Sequence, residues 1–453
     1  MTSFPKPASK LIVAALLAGG ATLALAVPAA GRDRQQPAAN APPQLHLSPA
    51  ALAAARPAQA AVQANNPAAA EPLVAALEAA STLDGDKYVA ALLRYQLESQ
   101  KAHAAQVANP RATVDEASQA APLDSLIANP ATPAADRGKY AARRGEIAYA
   151  VRQYPQAIQF FTQARTLGFT DANLDLAIVK AKIDSGDVAG GTAELEHIIA
   201  ASTARGERAP VEYYRYAIGR SNKAHLTQQT VAWMNRYAAA YPVGQTWYEV
   251  LVTYGFQQDA TARLDNPQKI DLFRLMRATG GLADQYFYIE YAQKAQNAGL
   301  PLEAQAVLRE GLANGKIPAA NTEARAMQVE LTRAIAAEGS LVRLETQANA
   351  AANGQLAGQT GDAYLSTGNY AKAATLYRTA LTKGSVDADT INTRLGIALA
   401  RSGDKAGALA AFAAVHGSPR ADIASFWTTY LNAPAAAATP AAPAAPSPAP
   451  AGN

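Results

Sequence analysis

From Gly361 to Val415 the small and apolar positions fall into two superposable blocks. Gly361 matches Gly396, Gly368 matches Gly403, Ala373 matches Ala408, Tyr377 matches Phe412 and Ala380 matches Val415, always at a step of 35 residues. Each block runs small residue, turn glycine, small residue, aromatic, small or branched residue, at spacings of 7, 5, 4 and 3. Two antiparallel helices pressed close together need this order, and its recurrence is the signature of a helical repeat. Gly361 and Gly396 fall in mid-helix, where glycine costs about 1 kcal/mol relative to alanine. Their retention predicts a neighbour too close for a methyl group. The expected neighbour is the second helix of the pair, met at Ala373 or Ala408, with Tyr377 and Phe412 filling the wedge toward the following unit.

The same phase returns elsewhere. Gly145, Ala157, Phe161 and Ala164 repeat the 12, 4, 3 spacing, as do Ala292, Ala304, Leu308 and Gly311. Gly186 aligns with Gly403, and Gly191, Leu195 and Ile198 follow in step. Between these runs the spacing loosens, and residues 211–291 hold about half of all the aromatics. Helices are still legible there at about 211–220, 227–240, 245–257 and 267–279, and a less regular pair near 321–337 and 340–351. The lapse of phase between 200 and 286 predicts a bend. Nearer the start, Ser48-Pro49 is a good cap and first-turn pair, although Pro57 should interrupt or kink the helix it opens. A second helix is expected over 68–80 and a third over 86–105, where Tyr88, Leu92, Tyr95 and Leu93, Leu97 recur at helical spacing. Residues 109–135, with four prolines, read as a longer connection holding one brief helix.

Composition agrees with an all-α class. The 453-residue chain is 49% hydrophobic but only 7% aromatic, and alanine, the best helix former, dominates. Cysteine is absent, which excludes disulfides, thiolate metal sites and cysteine nucleophiles. The formal charge of +4 is scattered among nearly as many acids as bases, without the basic stripe of a nucleic-acid surface. Residues 1–10 carry two lysines, residues 11–26 are apolar, and Ala24-Leu25-Ala26 offers a signal-peptidase site. That anatomy predicts a cleaved secretory signal and a periplasmic or secreted protein with no transmembrane segment. No cysteine follows that could carry a lipid.

These spacings resemble the tetratricopeptide repeat, a family with small residues and an aromatic at fixed positions of a helix pair. The units opening at Gly145, Ala292, Gly361 and Gly396 match well, and the one at 179–198 moderately; Ala357 and Asn392 stand where the family often has tryptophan. The layout also resembles exported repeat proteins of α-proteobacteria. The resemblance implies an α-solenoid divided into a signal peptide (1–26), a disordered leader (27–47), irregular helical hairpins (48–135), tetratricopeptide-like repeats (136–210), an aromatic-rich irregular segment (211–285), further repeats (286–431) and a disordered Ala/Pro-rich tail (432–453). In that family the first helix of each pair lines a concave face. It implies a partner-binding surface of Arg143, Glu146, Tyr149, Lys180, Tyr286, Gln293, Asp362, Arg394 and Arg401. The family's clamp for a C-terminal carboxylate is not matched, since Gly358, Asp362 and Thr390 occupy its positions.

The search for chemistry returns little. The five histidines are far apart and none lies in a metal-ligand frame. Asp84-Gly85-Asp86 lacks the later ligands of a calcium loop, and the glycines before Lys316 do not make a phosphate loop. No catalytic, cofactor or metal residue is expected, and the chain reads as non-enzymatic. Two binding readings remain. One is a protein or peptide held in the concave groove, in envelope assembly or polysaccharide export. The other is a cell-envelope glycan or peptidoglycan stacked on an aromatic platform of Trp233 and Trp247.

Overall fold

The computed structural model describes residues 45–110 and 116–433. The expected signal peptide and most of the leader and tail lie outside them. The fold is an all-α array of antiparallel helix pairs, of the helical-repeat kind, and the chain divides into two compact units at Glu207 and Arg208.

Unit 1 opens with α1 (Pro49–Gln63), α2 (Pro67–Ala80) and α3 (Asp84–Ala108). The Ser48 hydroxyl caps α1 by accepting from the Ala51 N–H at 3.2 Å. Pro57 does not interrupt α1: it sits on the exposed side, where water can satisfy the carbonyl it leaves unpaired. Tyr88, Leu92, Leu93, Tyr95 and Leu97 are all buried, as their spacing requires. After a 3₁₀ turn come α4 (Ala120–Ala128), α5 (Ala134–Ala150), α6 (Tyr154–Thr166), α7 (Ala172–Asp184) and α8 (Val188–Ala204), each packed on its predecessor.

Unit 2 starts with α9 (Val211–Lys223), α10 (Thr227–Ala240), α11 (Gly244–Gly255) and α12 (Asn266–Ala278), close to the four helices read from the aromatic segment. It continues through α13 (Gln285–Asn297), α14 (Pro301–Ala313), α15 (Thr322–Ala337) and α16 (Leu341–Ala350). The regular end is α17 (Gln355–Ser366), α18 (Tyr370–Lys383), α19 (Ala388–Ser402) and α20 (Lys405–Ala413). Gly403 ends α19 in the left-handed region at φ 89°, which is why a turn glycine recurs there.

The last helix, α21 (Arg420–Asn432), packs against α19 and α20 and also against α10 and α12, far back in the sequence. Unit 2 therefore closes on itself. The aromatic segment is the receiving wall of that closure: Tyr254 meets Phe426 edge to face at 5.0 Å and Trp247 meets Tyr430 at 6.1 Å. Tyr254 donates its hydroxyl to Asp422 at 3.0 Å, and Asn235 is hydrogen-bonded to both Ser425 and Thr429.

The repeat glycines have a different partner from the one their spacing suggests. A Cβ on Gly145 would lie 2.5 Å from Cδ1 of Phe161, one on Gly361 2.8 Å from Cε1 of Tyr377, and one on Gly396 2.5 Å from Cε1 of Phe412. The aromatic ring, rather than Ala373 or Ala408, covers the glycine. Gly396→Ala is accordingly expected to destabilise. Its helix-propensity gain of about 1 kcal/mol is outweighed by an overpacking cost of about 1–3 kcal/mol against a buried ring. Urea unfolding followed by tryptophan fluorescence checks this, because Trp233, Trp247 and Trp427 all lie in unit 2.

Candidate functional site

On α5, residues Ala142, Arg143, Glu146, Tyr149 and Ala150 are spaced three and four apart and form one stripe. On α7, Asn173, Leu174, Ala177 and Lys180 form another. The two stripes face a common cavity of about 320 Å³ in unit 1. Phe161 from α6 and Phe169 from the following turn supply its apolar floor, and Glu116 and Asp171 join the rim. Four of the residues expected on the concave face, Arg143, Glu146, Tyr149 and Lys180, are thus brought together.

The rim is electrostatically organised. Arg143, 2% exposed, donates from Nη1 to Glu146 at 2.9 Å and from Nη2 to Gln119 at 3.2 Å, and its Nη2 lies 2.7 Å from Glu116. Burial alone would ease its proton off, but Glu116 and Glu146 more than compensate and hold its pKa above the usual arginine value. The Arg143 Nε–H is buried without an acceptor. Tyr149 donates its hydroxyl to Asp184 at 2.5 Å, and the Lys180 ammonium stands 5.5 Å from the centre of the Tyr149 ring. Among the described residues Lys180 has no carboxylate partner.

Burial pushes the Glu146 carboxyl above the usual glutamate range, even though Arg143 pulls the other way. A carboxyl whose folded pKa is raised binds its proton more tightly when folded. Its contribution to stability is therefore present at low pH and is lost as pH rises from the unfolded value through the folded one. Comparing wild type with Glu146→Gln by urea unfolding between pH 4 and 7 is expected to show the difference moving in favour of the variant as pH rises.

The remaining expected residues lie elsewhere. Tyr286 is 74% exposed and Gln293 is also exposed, neither beside a cavity rim described above. Asp362 and Arg394 do not line the unit 1 cavity. They pair with each other at 2.6 Å inside unit 2, where Arg394 also approaches Asp271 and Tyr377 donates its hydroxyl to Asp362. Arg401 is exposed and donates to the Tyr370 hydroxyl at 3.2 Å. Trp233 and Trp247 are 0% and 1% exposed, so they offer no face to a sugar; they belong to the aromatic core, which corrects the platform reading. Glu116, Phe169 and Asp171 were not legible as site residues. Glu116 sits in the proline-rich connection without periodicity, and the polar residues of α7, Asn173, Asp175, Lys180, Lys182 and Asp184, are spread around the helix, so no single face stands out in its sequence.

Among the described residues no cluster of three or more His, Asp or Glu could hold a metal ion, and no helix is long and apolar enough to cross a membrane.

The class defined by this geometry is a helical-repeat protein. No protein-family model matches the chain, and no curated protein does. The solved structures to which it is similar include the following two. One is the structure of Naa15/Naa10 bound to HypK-THB, at 12% identity and a TM-score of 0.26, over 81% of this chain and 64% of that one. The other is the pentatricopeptide repeat protein PPR10 from maize, at 15% identity and a TM-score of 0.25, over 95% of this chain and 67% of that one.

Proposed function

We propose that this chain is a non-enzymatic protein-interaction scaffold, exported through its N-terminal signal, and that the unit 1 cavity receives a side chain or short segment of a protein partner. The observation that carries the reading is the joining of an apolar floor to a charged rim in one cavity. An apolar pocket gives affinity by removing a ligand's surface from water, and a few placed polar groups orient it. Arg143 is immobilised by its ion pairs, whereas Lys180 retains ammonium donors for an incoming acceptor. Envelope assembly or polysaccharide export is the setting that the export signal suggests.

A photo-crosslinking residue at Asn173, exposed on the rim, tests this in envelope preparations. The expected result is one stoichiometric protein adduct, lost in Ala177→Trp, which fills the cavity, and weakened in Lys180→Glu. Circular dichroism must show both variants folded. No adduct, or one indifferent to both substitutions, would count against the groove. Export is tested separately, by finding the mature chain outside the cytosol without its first 26 residues.

A further inference from the structure

Unit 2 contains a second cavity, of about 210 Å³, between the ends of α12, α14, α17, α19 and α21. Its wall carries three guanidinium groups, Arg274, Arg277 and Arg401, against a single carboxylate, Glu303. The carboxylate is already saturated: Oε1 accepts from Arg274 Nε at 2.8 Å and from the Tyr291 hydroxyl at 2.5 Å, and Oε2 accepts from Arg274 Nη2 at 2.7 Å.

The cationic groups are not all saturated. Arg277 spends its Nε on Glu310 at 2.7 Å, which leaves its terminal N–H donors without a carboxylate. Arg401 touches only the Tyr370 hydroxyl and ring, and no carboxylate among the described residues pairs with it. Trp427 borders the same wall but is 0% exposed, so it can report on the cavity without offering a face to its contents. Two under-used guanidiniums on one wall, facing a single carboxylate that Arg274 already engages, leave the cavity with an excess of positive charge that an anionic acceptor would balance. The rest of the wall is mixed, with Ser366, Thr367 and Tyr370 beside Leu365 and Ile397.

We propose that this cavity binds a small organic carboxylate, its oxygens on Arg277 and Arg401. The small volume favours a free acid over a peptide terminus, which would have to continue out of the cavity. The site is independent of the unit 1 groove: failure of either leaves the other standing.

The test uses the full chain, with benzoate as probe and benzamide as its neutral isostere. Calorimetry reads binding, and the indole N–H signals of ¹⁵N-labelled protein read position. Benzoate is expected to bind saturably in the millimolar range and to move one of the three indole signals, the one absent from Trp427→Phe. Benzamide should do neither. Arg401→Gln, at an exposed position that leaves the core untouched, is expected to weaken benzoate at least tenfold while the other two indole signals stay in place. Equal binding of benzamide, or unchanged affinity in Arg401→Gln, overturns the proposal. So does the absence of any saturable shift, or tighter binding of acetyl-Gly-Phe than of benzoate.

Discussion

Asp271→Asn is expected to cost unit 2 about 3–5 kcal/mol, the usual consequence of removing one partner from a buried ionic cluster. Asp271 is wholly buried. Its Oδ1 accepts from Arg274 at 2.7 Å and lies 3.4 Å from Arg394 Nε, and its Oδ2 accepts from Arg420 at 2.8 Å. Burial alone would raise its pKa, but Arg394, Arg274 and Arg420 together hold it below the usual aspartate range. Asparagine keeps the shape and removes the charge. Arg274 would keep Glu303 and Arg394 would keep Asp362, while Arg420 would keep no carboxylate. The double variant Asp271→Asn/Arg420→Met should therefore recover part of the loss, a coupling that a double-mutant cycle isolates. The sign with pH follows from the lowered pKa. The contribution of Asp271 is present above the usual aspartate range and is lost as pH falls through the folded value, so the two proteins should converge in acid. Urea unfolding read by tryptophan fluorescence measures it, and a loss below about 1 kcal/mol would show that the cluster is not held in the way its distances imply.

This cluster also marks where the sequence stops being informative. Helices were legible because each needs only local periodicity: the four in the aromatic segment and the pair at Thr322–Ala337 and Leu341–Ala350 lie within a few residues of their expected limits. The repeat phase located the close approaches at Gly145, Gly361 and Gly396, but not the rings that cause them. Phase along one chain says which residues share a face, not which face meets what. Arg394 and Asp362 share the same stripe logic as Arg143 and Glu146, yet one pair ties into the Asp271 cluster and the other lines a cavity. The difference is made by α21, whose return to α10 and α12 joins residues about 150 to 190 positions apart, as in Arg420 with Asp271 and Thr429 with Asn235. No local pattern encodes such a pairing. The same return explains why aromatics concentrate in 211–291. Large rings are what a wall needs when it must be filled by a helix arriving from elsewhere.

Trp427→Ala tests that return most directly. Trp427 is 0% exposed, stacks on Phe412 at 6.0 Å with the planes 16° apart, and meets Tyr430 edge to face at 5.9 Å. Truncating a buried tryptophan costs about 3–5 kcal/mol, the upper values applying where the surroundings cannot collapse into the space. Here the helix that carries the ring is held by α10, α12, α19 and α20 at once, so no single element can move to fill the gap without losing another contact. Phe412 would lose its stacking partner while still pressed on Gly396, which transmits the loss into the regular repeats. Urea unfolding read through Trp233 and Trp247 should shift by that amount, and Trp427→Phe should lose markedly less because the stack on Phe412 survives. Amide exchange over α21 gives an independent reading, since every 1.4 kcal/mol removes about tenfold of protection. If the α21 amides of the wild type already exchange at the rate of a frayed terminus, the helix does not close unit 2, and the aromatic wall on α10, α11 and α12 must be held together by its own packing.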